Sequence, residues 1–237
     1  MAKANDSWKV LPHRRIEKLS SNLWRVEGDL EGMPLKRVMA IARRADGKLL
    51  IHNAIALSDE AMKEIEGWGE VGFIVVPNGF HRLDARVFHD RYPGARVLCP
   101  SGARKKVEEV VPVSGTYEDH PPDGVVSLET LEGTGAQEGV LIVRAEDGAS
   151  IVLNDCIFNM PDAPGFTGFV LKHLTASTGG PRVSRVSRFF LVKDKSAFRA
   201  HLERLGALPG LTRVLVSHHE TIDREPGKVL SQVAASL

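Results

Sequence analysis

The stretch VGFIVVPNGFHRLDARVFHDRYPGARVLCP, residues 71–100, decides how the chain folds. Val71 and Phe73 to Val76 form a run as apolar as a buried strand requires. Pro77-Asn78-Gly79 ends it, because proline withholds a backbone donor and Asn-Gly accepts positive φ. From His81 onward, Leu83, Val87, Phe88 and Tyr92 recur at helical spacing and predict a helix with one apolar face. Pro93-Gly94 closes that helix, and Ala95 to Cys99 predicts a second buried strand. Strand, polar loop, helix and strand make an α/β unit, and loops at the carboxyl ends of such strands commonly hold ligands. His81 and Asp84 stand at that loop–helix junction, three residues apart and so on one helix face.

Upstream, Asn22 to Val26 (NLWRV), Arg37 to Ala42 and Lys48 to His52 read as strands. Leu23 and Val26 are expected to face inward, with Trp24 on the opposite face. Ser58 is placed to cap a helix running to Trp68. Downstream of a short basic helix or turn (Ser101 to Val110), strands are expected at Val125–Leu131, Gly139–Arg144, Ala149–Leu153 and Thr212–Val216. Lys195 to Leu205 has the stripe of an amphipathic helix. Met160 to Gly180 reads as a long surface loop with one short helix around Phe169 to His173. Residues 1–20 are charged and are expected to form a loosely ordered arm on a single domain spanning 1–237.

Bulk properties narrow the function. A net charge of +1 over 237 residues speaks against wholesale nucleic-acid binding. The first 20 residues have no apolar core of a secretory signal, and no apolar run is long enough to span a bilayer. A soluble, cytoplasmic protein with no membrane partner and a small-molecule ligand is the expectation; oligomeric state stays open. Cys99 and Cys156 lie in apolar runs and read as buried free thiols. No nucleophile elbow or phosphate-binding glycine loop is present.

Three strand ends carry side chains that a divalent zinc, iron or manganese would accept: His81 with Asp84, then Asp155, then His218 and His219. Neighbours on a strand face opposite ways, so one of His218 and His219 reaches a pocket, and His218 is the choice here. Asp84 also suits a helix N-terminal carboxylate, and His52 a core-edge residue; Asn78, Asp84, His52 and His219 are the expected pocket lining. Arg182, Arg185 and Arg188 recur every third residue and are candidates for binding an anion, or else a solvated basic face.

These landmarks resemble the metallo-β-lactamase superfamily from about Asn22 to Thr221. VVPNGFHRLDARVFHDRYPGARVLCP is similar to that family's metal loop and following helix, VLNDCIF to its aspartate-bearing strand end, and VLVSHHE to its closing histidine strand. The resemblance implies a four-layer αββα sandwich. It also implies departures. Asn78, Gly79 and Phe80 stand where the family has His-x-His, and LEGTGAQEG (131–139) lacks a further histidine. His81, Asp155 and His218 are the ligands that carry over, too few for a dinuclear zinc centre. The pattern looks closer to a divergent bacterial branch with Pro-Asn and then histidine at the metal loop. The implied protein is a degenerate member that binds a small anionic molecule. The alternatives are a hydrolase using one divalent metal, or an interaction protein with a vestigial pocket and no metal.

Overall fold

Alternation along the strands sorts the apolar side chains into three cores, and three cores require four layers. Leu49 and Ile51 face one way and Leu50 the other; Val140 and Ile142 oppose Leu141 and Val143 in the same manner. The computed structural model describes residues 4–162, 165 and 169–237. The first sheet holds, in spatial order, β1 (Glu17–Ser20), β2 (Leu23–Leu30), β3 (Met33–Arg43), β4 (Leu49–His52), β5 (Val71–Val75), β6 (Arg96–Cys99) and β7 (Gly115–Thr116). Strands β1 to β4 are antiparallel, and β4 to β7 run parallel. The second sheet contains β8 (Val126–Thr130), β9 (Gly139–Ala145), β10 (Gly148–Leu153) and β11 (Leu211–Val216) in the order β11-β10-β9-β8, with only the β10–β11 pair parallel.

Leu50, Phe73, Val75, Leu98, Leu141, Val143, Val152 and Leu215 fill the space between the sheets. Helices α1 (Asp59–Trp68), α2 (Ala85–Arg91) and α3 (Arg104–Val107) cover the outer face of the first sheet through Met62, Ile65, Val87, Phe88 and Val107. Beyond α4 (Arg185–Phe190), α5 (Lys195–Gly206) and α6 (Pro226–Ala235) cover the second sheet through Phe198, Leu202, Leu205, Leu230 and Val233. The sandwich is the expected αββα arrangement. Tyr117 is clamped where β9 begins: a Cβ on Gly139 would lie 1.9 Å from its ring, so only glycine fits there. Both cysteines are buried and free.

Several local expectations change. Helix α2 begins at Ala85 and not His81, because Asn78 Oδ1 accepts from the backbone N–H groups of Phe80 and His81 and holds them in a turn. Trp24 and Val26 share the helix-facing side while Leu23 alone faces the other sheet, as a period of two demands. The N-terminal segment is seated from Ala4 onward. Trp8 donates its indole N–H to Leu57 O and stacks on Phe88 at 4.9 Å, and His13 Nε2 accepts from Ser58 N. One tryptophan among charges hid that docking from the sequence. Residues 1–3 of the expected arm, and 163, 164 and 166–168 of the expected loop, lie outside the described residues. The loop's short helix is a π-helical turn at Val170–Leu174. No helix among the described residues is long and apolar enough to cross a membrane.

Candidate metal centre

The site forms where the carboxyl ends of strands from both sheets meet. Strand β5 delivers the Pro77–His81 turn, β10 delivers Asn154-Asp155, and β11 delivers Ser217-His218. The sheets are joined there by a hydrogen bond from Val38 N to Ser217 O. Asp155 is the hub. Its Oδ1 lies 2.9 Å from His81 Nε2 and 3.2 Å from His218 Nε2, and its Oδ2 accepts from Asn78 Nδ2 at 2.9 Å. One ligand atom from each of His81, Asp155 and His218 falls within 4.8 Å of the others.

What lies behind the two imidazoles fixes what they offer in front. His81 Nδ1 faces Asn53 Oδ1 at 3.1 Å, and His218 Nδ1 faces Lys36 O at 2.7 Å. Asn53 donates its amide N–H to Val38 O, so its oxygen is the atom turned to His81. Both rear partners are acceptors, which requires Nδ1–H on both rings. In the neutral tautomer each Nε2 then points a lone pair at the Asp155 carboxylate, itself an acceptor. A cation must sit between them, either protons or a metal ion.

Electrostatics agree with the geometry. Burial opposes the charge on Asp155, but His81 and the hydrogen bonds from His218 and His81 outweigh it and hold the carboxyl well below the usual range. Burial likewise opposes charge on His218, and its bond to Asp155 raises its pKa nonetheless. Phe158 stacks on the His218 ring at 5.5 Å with planes 8° apart. A buried Glu138 accepts from Asn78 Nδ2 at 2.5 Å. Burial and the nearby Asp155 charge push its pKa well up.

Of the other expected pocket residues, Asn78 is a bridge between the two carboxyls. His52 is buried with neither ring nitrogen bonded among the described residues, and burial with the neighbouring His81 pushes its pKa down to about 3. Asp84 does not join the cluster. It accepts from Arg37 Nη2 at 2.7 Å, Asn5 Nδ2 at 2.6 Å and Ala56 N at 3.3 Å, an ion pair inside the fold. His219 adopts φ 67° and pairs as a bridge with Asn159, apart from Asp155. Arg182 lies before the helix that carries Arg185 and Arg188, since Ser184 caps α4 by accepting from Ser187 N. Glu138, Phe158 and the Lys36 carbonyl escaped the sequence reading. A lone glutamate before a strand, a phenylalanine and a backbone oxygen carry no one-dimensional signal.

A donor set of two imidazole nitrogens and one carboxylate suits a single zinc, iron or manganese ion. It does not suit two: among the described residues no other histidine, cysteine or carboxylate joins the cluster.

Solved structures are similar in fold. The DIM-1 metallo-β-lactamase exposed to ceftazidime superposes with a TM-score of 0.64 at 14% identity, over 96% of this chain and 99% of that one. A metallo-β-lactamase from Erythrobacter litoralis with β-mercaptoethanol in its active site gives 0.61 at 14% identity, over 94% and 96%. The chain has the metallo-β-lactamase fold. No family model matches it, and no curated protein matches it.

Proposed function

We propose that this chain binds one divalent metal ion through His81 Nε2, His218 Nε2 and Asp155, and hydrolyses a small anionic molecule at the mouth between the sheets. The observation that carries the reading is the commitment of both Nδ1–H groups to oxygen acceptors, which aims two imidazole lone pairs at one carboxylate. A bound ion would supply Lewis acidity toward a carbonyl or phosphoryl oxygen. The chain's own residues hold the geometry. Asn53 and the Lys36 carbonyl fix ring tautomer and orientation, Asn78 fixes the Asp155 carboxylate, and Phe158 restrains the His218 ring. Asp155 is the one carboxylate of the ligand set, so a site loaded with a divalent ion would be net positive and attract an anion.

A second reading rests on the 2.9 and 3.2 Å separations, which are hydrogen-bond lengths. In it protons close the cluster, the site is degenerate, and the pocket binds a small anion without turnover or is vestigial. The two readings separate in one assay. Chelator-stripped protein is reloaded with zinc, iron or manganese and tested on small anionic esters, lactams and phosphoesters. Turnover that appears with one ion and vanishes in folded His218→Ala supports the hydrolase. Neither uptake nor turnover leaves the proton-closed site.

A further inference from the structure

A second concave site lies between α4 and α6, and Ser187 of α4 donates its Oγ–H to Asp155 O at 2.6 Å. The groove has a volume of about 410 Å³ and is lined by Arg182, Arg185 and Arg188 on one wall and by Val229, Gln232 and Ser236 on the other. Among the described residues, no Asp or Glu lines it. The local charge is far from the chain's average. Residues 169–195 hold six Lys or Arg against one Asp, whereas the whole chain is only +1. Three arginines lining one cavity favour an anion among them.

Arg182 and Arg188 are held by backbone carbonyls. Arg182 Nη2 donates to Gly179 O at 2.7 Å and Arg188 Nη2 to Ser236 O at 2.9 Å, carbonyl partners that fix the forks and leave the charge. Arg182 Nε is buried with no hydrogen-bond partner among the described residues. Asp162, whose charge also acts on Arg182, is engaged by Lys172 at 2.5 Å and Thr178 at 2.9 Å. We propose that this groove binds the phosphate group of a small molecule, with Arg182 and Arg188 as its forked donors and Arg185 adding charge. A phosphate dianion offers enough oxygens for three guanidiniums, whereas a carboxylate offers two. The volume accommodates a phosphomonoester of sugar or nucleotide size. The site is independent of the metal reading.

The test is calorimetric titration of the full chain with inorganic phosphate, a sugar monophosphate and acetate, in wild type, Arg182→Gln/Arg188→Gln and His218→Ala. The expectation is saturable binding of both phosphates but not acetate, weakened at least about tenfold in the double variant and unchanged in His218→Ala. If the double variant fails to fold, the solvent-exposed Arg185→Gln is titrated instead and is expected to show a smaller loss. A parallel arm uses vesicles of phosphatidate in phosphatidylcholine. Capture released by inorganic phosphate identifies a lipid headgroup as the source, and no capture identifies a soluble one. The proposal is overturned if phosphate fails to bind the wild type by about 10 mM. It is equally overturned if the arginine variants bind phosphate as the wild type does, or if vesicle capture ignores both phosphate and the arginines and so belongs to the exposed Phe189 and Phe190.

Discussion

Asp84 and Asp155 are two carboxylates shut into the same protein by opposite means. Asp84 is neutralised by Arg37, a permanent cation whose side chain is 7% exposed against 1% for Asp84. Nothing at that knot can be exchanged, and it ties the N-terminal segment and the α1 approach to β3 through Asn5 and Ala56. Asp155 faces two imidazoles, whose Nε2 atoms either a proton or a metal ion can join to it. The difference teaches where function sits. A buried carboxylate facing arginine is a fastener, whereas one facing two oriented histidines is a socket.

The largest expected effect comes from breaking the fastener. Arg37→Met strands the Asp84 charge and should cost about 3–5 kcal/mol in denaturant unfolding. Asp155→Asn should cost less than half of that, because an imidazole, unlike a guanidinium, has an accessible neutral form; equal losses would erase the distinction. Next is metal removal. Loading the wild type at a hundred times its Kd should add about 2.7 kcal/mol, reversed by chelator and absent in His218→Ala. Thermal unfolding with and without metal reads this out. Asn53→Ala removes the oxygen behind His81 and should weaken metal binding about 10–100-fold while sparing the Arg37 pair. A competition titration against a metal-binding dye measures it.

The smallest effect is a slope. Glu138 has a folded pKa raised above its ordinary 4.5, so above that pH the folded chain keeps a proton that the unfolded chain has lost. Its contribution is full below pH 4.5 and falls as pH rises, by about 1.4 kcal/mol per pH unit, until the folded pKa is passed. In metal-free protein Glu138→Gln should remove that decline. An unaltered pH profile would place the proton elsewhere.

Much of the scaffold was readable in one dimension. The apolar run at Val71–Val76, the Pro-Asn-Gly break and the Pro93-Gly94 stop set β5, α2 and β6, and Ser58 does cap α1 by accepting from Ala61 N. The candidate ligands were also named, since histidine and aspartate at strand ends are few. Their support was not. Lys36 acts through a carbonyl that every residue possesses, and Glu138 reaches the site only because β9 lies across from β5's turn. Asp84 suited a pocket by spacing, but Arg37 claims it across 47 residues, a pairing no local pattern encodes. Helix α6 opens with Pro226-Gly227, residues that read as a turn in one dimension although proline in a helix's first turn is well tolerated.

The most direct measurement is metal stoichiometry by elemental analysis, on untagged protein loaded with zinc, iron or manganese and freed of excess, beside folded Asp155→Asn. One equivalent in the wild type, with less than a tenth of that in the variant, is the result this account predicts. No retained metal with any ion, or one equivalent that survives loss of the Asp155 carboxylate, would contradict it.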